Sequence, residues 1–592
     1  MSHHDAYKRD FAVNTRLPRI AALATCIGVV ATLAAFLLLS LIHLFTNLFF
    51  FGALSFVDRS PAQHAPGAWV IVVPVIGGLI VGLMARFGSD KIRGHGIPEA
   101  IEAILFGKSR MSPKVALLKP LSSGIVIGSG GPFGAEGPII MTGGAIGSLI
   151  AQYLKLTAAE RKTLLVAGAA AGMTAVFGTP VAAVLLAVEL LLFEWRPRSF
   201  LPVALACAVA GFARIPLFGA GPLFPLVTSP PDAISLLSCV VAGLLSGALA
   251  SGLSAALYKV EDLFARLPIH WMWWPALGGI AIGIGGYLEP RALGVGYDVI
   301  GDLLHQNIAL QAAVALLAVK AVMWVVALGS GTSGGVLAPL LMLGAGLGVA
   351  LGPVLPGGEP ALWPLVCMAA TLGATLGAPL TAIVFAFGLT HDSNALLPLL
   401  AATLVAHGFA TIVMRRSIMT EKIARRGYHI YREYGVDPLE RHYVDEVMTR
   451  EVETIDASQS AQDVLDTRFG AAQTHRAYPL VRDGAVVGMA DRGWFEAQRA
   501  TEHDRSTHAT TPVFALASET CRLVATRLAV HRLERLPVVA DRQSMRLIGI
   551  VSRSDLVKPS LAHFDEEHKR ERFRRLPPII RRRRFPPVRR AG

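Results

Sequence analysis

Glu136 is the residue of this chain best placed to do chemistry. It is the only charged side chain between Lys119 and Lys155, within Gly128-Ser-Gly-Gly-Pro-Phe-Gly-Ala-Glu136-Gly-Pro138. Four glycines and a proline precede it and disfavour regular helix. Backbone N–H groups freed by a broken helix cannot stay bare in lipid, so such a segment lines a polar cavity or lies buried in protein. Helix N-termini turned inward present N–H donors and a positive dipole end, worth about 0.3–1 kcal/mol each to an anion when exposed and more when partly buried. A neutral cradle suits an ion that must leave again better than a lysine, whose full charge would hold it. A carboxylate is itself an anion that fits such a cradle. Glu136 therefore competes with a mobile anion, and protonation would release it. Burying an acid at mid-membrane costs about 2.5–3.5 kcal/mol or more, which makes a functional role the default. The plain alternative is a static carboxylate satisfied by backbone donors.

The elements that position this residue are membrane helices. Of the 592 residues, 53% are hydrophobic and only 16% charged, against about 25% charged in soluble domains. No Asp, Glu, Lys or Arg lies between Ile20 and Val57, between Lys162 and Glu189, between Lys320 and Glu359, or between Glu359 and Asp392. Runs of about 18 apolar residues span a hydrocarbon core of roughly 30 Å. The first run is too long for a cleavable signal, and no small-residue cleavage site follows it. The five cysteines (Cys26, Cys207, Cys239, Cys367, Cys521) have no metal-ligand spacing and imply no disulfide framework. The excess of basic residues, +13 overall, gathers after the last apolar run: Arg415, Arg416, Lys422, Arg425 and Arg426, then Arg581 to Arg584. That places this end on the cytoplasmic side of the cell membrane. The polybasic tail either touches anionic lipid headgroups or is a solvated segment.

The apolar part repeats itself. Ala175-Val-Phe-Gly178-Thr-Pro180-Val-Ala-Ala183 reads against Ala374-Thr-Leu-Gly377-Ala-Pro379-Leu-Thr-Ala382, an offset of 199. Gly128-Ser129-Gly130 reads against Gly329-Ser330-Gly331, an offset of 201. Repeated halves with Gly/Pro-interrupted segments at matching positions point to a transporter-type fold with its ion site between the halves.

In order along residues 20–427, the chain resembles the CLC chloride channels and proton-coupled chloride transporters. Gly94-His95-Gly96-Ile97-Pro98-Glu99 is similar to the family's first anion-site motif, and Gly134-Ala135-Glu136-Gly137-Pro138 to its gating-glutamate motif. Gly334-Gly335-Val336-Leu337-Ala338-Pro339 is similar to the third motif, whose backbone amides hold the central anion. Ser417-Ile418-Met419 resembles the end of the family's last membrane helix, where a tyrosine often touches the anion. The resemblance implies a gate at Glu136 and anion contacts from His95, Gly96, Ile97, Gly134, Ala135, Gly335, Val336, Leu337 and Met419. It also implies a homodimer with one pathway per subunit. This chain departs from the pattern: His95 replaces a serine, Leu337 a phenylalanine, Met419 the tyrosine, and Ala135 an arginine. Two side-chain hydroxyl donors are thereby lost. His95 can add a donor, charged or neutral, or can merely face water at a helix start.

Exchangers of the family carry an inner glutamate directly after a helical acid. Here Glu189 is followed by Leu190, and the nearest alternative, Glu194, lies about 500° further round a regular helix, so it points away. Beside Trp195 and Arg196, Glu194 reads as an interfacial ion-paired residue. Glu189 and Glu194 are thus the candidates for a proton route, and weak proton coupling is expected.

Downstream of about Tyr428 charge returns, and a doublet resembles a pair of cystathionine-β-synthase-type (CBS) domains. Tyr478-Pro-Leu-Val481 with Val486-Val-Gly488 matches Leu536-Pro-Val-Val539 with Ile548-Gly-Ile-Val551, alongside helices at Ala461–Thr467 and Thr520–Ala529. In the second copy Ser552 and Asp555 match the pair that holds a ribose in nucleotide-binding members. The first copy has Trp494 where the acid would be. Adenine nucleotide is therefore a candidate ligand, and the alternative is a structural module with none. Gly344-Ala-Gly346-Leu-Gly348 imitates a dinucleotide fingerprint, but it sits in a charge-free run, where close helix packing explains it. No Walker-type loop supports ATP hydrolysis.

The expected architecture is an all-α polytopic membrane protein of two repeated halves (about 20–215 and 230–427) with helices broken at mid-membrane, joined to an α/β CBS pair. A cytoplasmic segment covers 1–19, a linker 428–440, the CBS copies 441–498 and 507–558, and the tail 559–592. The expected function is passage of small anions, chloride first, without enzymatic catalysis, required cofactor, metal or nucleic-acid partner. Rivals are tight chloride/proton antiport, transport of fluoride or another anion, and a membrane-anchored nucleotide sensor. A CBS-linked cation transporter would need several intramembrane carboxylates.

Overall fold

The computed structural model describes residues 15–63, 67–154, 156–428, 430, 437–470, 475–500 and 513–558. The polybasic tail, most of the N-terminal segment and part of the linker lie outside these residues. The chain divides near residue 434 into two compact units.

In the first unit, eighteen helices follow one another as two sets of nine among the described residues. The first set is α1 (Leu17–Phe51), α2 (Val72–Phe87), α3 (Ile97–Leu105), α4 (Pro113–Gly128), α5 (Glu136–Tyr153), α6 (Ala158–Phe177), α7 (Pro180–Leu186), α8 (Pro197–Ala213) and α9 (Ile215–Phe218). The second is α10 (Ala233–Ala265), α11 (Trp274–Leu288), α12 (Tyr297–Leu304), α13 (Leu310–Gly329), α14 (Leu337–Leu351), α15 (Leu362–Leu376), α16 (Pro379–Thr390), α17 (Leu396–Val413) and α18 (Ile418–Arg425). The offset of the sequence repeat thus holds for nearly every element: α5 begins at Glu136 and α14 at Leu337, α7 at Pro180 and α16 at Pro379. Among the described residues, five helical stretches are long and apolar enough to cross a bilayer. Others stop short: the 15 residues of α14 reach about 22 Å against roughly 30 Å of hydrocarbon. Such helices end inside the apolar layer, where the glycine loops lie.

Close packing at small residues holds each half together in the same way. A side chain at Gly143 would strike the Gly168 carbonyl, and one at Gly344 the Cys367 carbonyl, so α5 presses on α6 as α14 presses on α15. Gly348 meets Trp363 in the same way. The glycines that imitate a dinucleotide fingerprint are thus a helix contact. Two lysines at matching places in the repeat are also buried. Lys119 Nζ donates to the carbonyls of Ile92 and Gly94 (both 2.8 Å) and to Ser333 Oγ (3.0 Å). Lys320 Nζ donates to the carbonyls of Ala292 (2.9 Å) and Gly294 (3.0 Å). Each ammonium ties down the loop that leads into α3 or α12.

The second unit contains two small sheets of one topology. In the first, β1 (Ile455–Asp456) runs parallel to β2 (Ala477–Arg482), which pairs antiparallel with β3 (Ala485–Asp491). In the second, β4 (Ala515–Leu516) runs parallel to β5 (Arg535–Val539), which pairs antiparallel with β6 (Leu547–Ser552). Each sheet has its own apolar core, around Tyr478 and Phe495 or around Val524 and Leu536. The helix of the second copy runs Cys521–Val530; Thr520, expected inside it, is its N-cap and accepts from Leu523 N. Short polar side chains favour that position because they satisfy an otherwise unpaired N–H.

Candidate functional site

Two loops meet at the centre of the membrane unit. Gly134 N–H donates to the Gly335 carbonyl (3.3 Å) and Gly335 N–H to the Gly134 carbonyl (2.9 Å), an antiparallel bridge. The two glycines occupy equivalent places in the repeat. Each therefore pairs with its own counterpart, and the pseudo-twofold axis passes between them. Gly130 and Gly331 turn the preceding loops with φ of 97° and 80°, which an L side chain adopts only with strain. Pro138 and Pro339 then occupy the first turns of α5 and α14, where a missing N–H costs nothing. In this structure the Gly134 and Gly335 amides, expected to face an anion, are paired with each other.

Glu136 is fully buried at the start of α5. Its Oε1 accepts from Ala338 N (3.2 Å), in the first turn of α14, and from the Tyr297 hydroxyl (3.4 Å). Oε2 has no partner among the described residues and lies over Gly134 and Gly335. The carboxylate of one half thus sits on the N-terminus of a helix from the other. Val336 and Leu337 are buried beside it, but the amide that reaches the carboxylate belongs to Ala338.

At the start of α3, Gly96 N–H donates to Glu99 Oε2 (3.1 Å), so this amide too is taken, by a capping carboxylate of its own helix. Glu99 in turn pairs with Lys422 at 2.8 Å. His95 does not face water: it is 3% exposed, and its Nδ1 has no partner among the described residues. Its carbonyl packs on Gly137 next to the gate. Ile97 and Ala135 are buried here as well, and Met419 is buried near the start of α18. The Tyr258 hydroxyl donates to the Ile418 carbonyl beside it (2.6 Å).

The two proton-route candidates lie apart. Glu189 Oε2 accepts from Thr381 N (2.8 Å) and Thr381 Oγ1 (2.6 Å), capping α16, whose own start has no capping side chain. Glu194 accepts from Ser199 Oγ (2.7 Å) and lies near Lys162 (3.7 Å) and Arg196 (3.6 Å). The helical-wheel argument for Glu194 does not apply. Residues Ala187–Leu192 form a π-helix, Phe193 has φ 53°, and Glu194 lies beyond the helix end. Leu190 is fully buried.

In the second CBS copy Ser552 Oγ and N both donate to Asp555 Oδ2 (2.6 and 2.8 Å), and Lys558 Nζ lies 2.6 Å from Oδ1. Burial resists the charge on Asp555, but the lysine and the serine outweigh it and hold its pKa below the usual carboxylate value.

Tyr297, Ala338, Lys119 and Ser333 were not singled out from sequence. For Tyr297 a signal existed: Gly294-Val-Gly296-Tyr297 repeats the pattern of Gly94-His-Gly96-Ile97 at nearly the same offset as the other duplicated motifs.

Comparison with known proteins identifies the family and the fold. The sequence model described as voltage gated chloride channel matches residues 76–411, and that of the CBS domain matches 444–493 and 508–561. The "Putative chloride channel protein ClcB-like" of Ralstonia nicotianae is 29% identical over 369 residues, 60% of this chain and 85% of that one. The "H(+)/Cl(-) exchange transporter ClcA" of Salmonella paratyphi A is 26% identical over 392 residues, 62% of this chain and 81% of that one. The fold is that of a slow cyanobacterial Cl−/H+ antiporter, with a TM-score of 0.62 and 23% identity over 70% of this chain and 99% of that one. With a carboxylate held on a helix start between two repeated halves, and with the family model matched over more than half its length, the chain belongs to the voltage-gated chloride channel family of anion transporters and carries a CBS-domain pair.

Proposed function

We propose that this protein conducts small anions, chloride first, through a pathway gated by Glu136 and only weakly coupled to protons. One observation carries the reading: a buried carboxylate occupies the helix-start donor of Ala338 and leaves its second oxygen unpartnered among the described residues. A permeant anion needs that same donor. Protonation discharges the acid and vacates the place. At the α3 end His95 stands where a hydroxyl would be, and its imidazole nitrogen is the donor for an anion there. Ile97, Val336 and Leu337 supply the remaining wall, and Met419 closes it without a hydroxyl. Because His95 and Met419 replace two hydroxyl donors, selectivity among chloride, fluoride and larger anions is set by backbone amides and the imidazole.

Weak coupling follows from the placement of the acids. Glu189 is spent on Thr381, Glu194 on Ser199 and two cations, and Leu190 carries no proton. The working unit is a homodimer with one pathway per subunit, its N-terminus and CBS pair in the cytoplasm. The pair takes an adenine nucleotide through Ser552 and Asp555. Reversal potentials in proteoliposomes, under separate chloride and pH gradients, test the reading. A potential that follows chloride and ignores pH is expected; one set by both in fixed proportion means tight exchange.

A further inference from the structure

The two glycine loops of the repeat are built alike. Gly94 and Gly96 have φ of 76° and 90°, Gly294 and Gly296 of 65° and 76°. A buried lysine ties down each. The first loop is the one the family resemblance links to anions; the second has no assigned role. They differ in the residue that opens the helix, Ile97 in one and Tyr297 in the other. The hydroxyl of Tyr297 reaches Glu136 Oε1, the oxygen that also receives Ala338 N–H. Its ring is wedged edge-on against Phe177 (centroids 6.0 Å) and tilted against Phe224 (6.4 Å), so packing sets where the hydroxyl points. The O···O distance of 3.4 Å exceeds the usual range of about 2.5–3.0 Å.

We propose that Tyr297, the counterpart of Ile97 in the repeat, is a side-chain donor of the anion pathway. Its hydroxyl holds the Glu136 carboxylate while that group blocks the cradle. When the carboxylate leaves, the same hydroxyl and Ala338 N–H receive the anion. The α12 end of the pathway thus carries a side-chain hydroxyl, at Tyr297, that the α3 end lacks. The first role rests on the reading of Glu136 as gate; the second does not. Few other charges bear on the place. Asp298, on the same helix, is exposed; Lys320, on α13, is spent on Ala292 and Gly294; and α14, α15 and α16 carry no charged side chain.

The test uses the full-length protein in liposomes. Tyr297→Phe keeps the ring and removes only the oxygen. Because one donor fewer favours the neutral acid, the midpoint of acid activation should rise by about half a pH unit. In a Glu136→Ala background, where no gate remains, adding Tyr297→Phe should weaken apparent chloride affinity several-fold, read from flux against chloride concentration. Tyr297→His, which returns a donor on a ring that packs less well, should recover part of that affinity. Unchanged affinity on adding Tyr297→Phe overturns the proposal. So does a histidine variant worse than the phenylalanine one, since packing would then be the cause. If Glu136→Ala alone keeps its acid activation, the gate reading fails, and the affinity comparison still decides the role of Tyr297.

Discussion

Glu136→Gln separates the charge of the gate from its shape. The amide keeps the length of the side chain and can still accept from Ala338 N. A hydrogen bond to a charged acceptor contributes about 1.5–3 kcal/mol, and one to a neutral acceptor about 0.5–1.5 kcal/mol. The Ala338 bond, at 3.2 Å, therefore loses about 1–1.5 kcal/mol on substitution. The longer Tyr297 bond loses a few tenths of a kcal/mol more. A total of about 1.5 kcal/mol lowers occupancy of the blocking position roughly tenfold. Chloride efflux from proteoliposomes at mildly alkaline pH should accordingly rise toward its acid-activated level, with an acid-to-alkaline ratio near one. If the variant keeps the wild-type acid activation, the competition argument is wrong, and Glu136 is a structural cap.

Asp555→Ala should abolish ATP binding by the fragment spanning about residues 440–560, measured by calorimetry; equal affinity in both forms rules the site out. Because Asp555 is held below its ordinary pKa, its contribution to stability is full above the unfolded value near 4 and is lost as pH falls through the folded value. Asp555→Asn should therefore flatten the acid limb of the fragment's melting temperature below about pH 4. With voltage clamped by potassium and valinomycin, a chloride gradient should drive no stoichiometric uphill proton movement, and Glu194→Gln should change nothing. Lys119→Met strands the buried carbonyls of Ile92 and Gly94, while Ser333 keeps Ser122 and Ser123; it should cost about 3 kcal/mol, visible as a lower unfolding temperature in detergent, and an unchanged transition would show that water replaces the ammonium.

The repeat and the isolated acid could be read from sequence because both are local patterns in an apolar background. Lys119 and Lys320 could not, since a lone lysine inside a helix gives no sign that it will tie down a loop several turns of chain before it. Glu189 carries the same lesson, because its partner Thr381 lies in the other half of the repeat. Glu194 is ion-paired as expected, but the helical-wheel argument for it assumed one pitch throughout. A π-turn depends on what the neighbouring helices allow, and nothing in Ala187–Leu192 announces it. Gly134, Gly96 and Gly335 looked like donors because their motif was familiar. Only the structure reveals that their N–H groups are already engaged.

The Gly134–Gly335 bridge has a consequence for direction. A scaffold that pairs each residue with its own duplicate is, to a first approximation, indifferent to which face of the membrane an ion comes from. The duplicate of Glu136 is Leu337, that of His95 is Val295 and that of Tyr297 is Ile97, so a few side chains break that indifference. Polarity of the pathway is then a trait of those side chains and not of the frame that carries them.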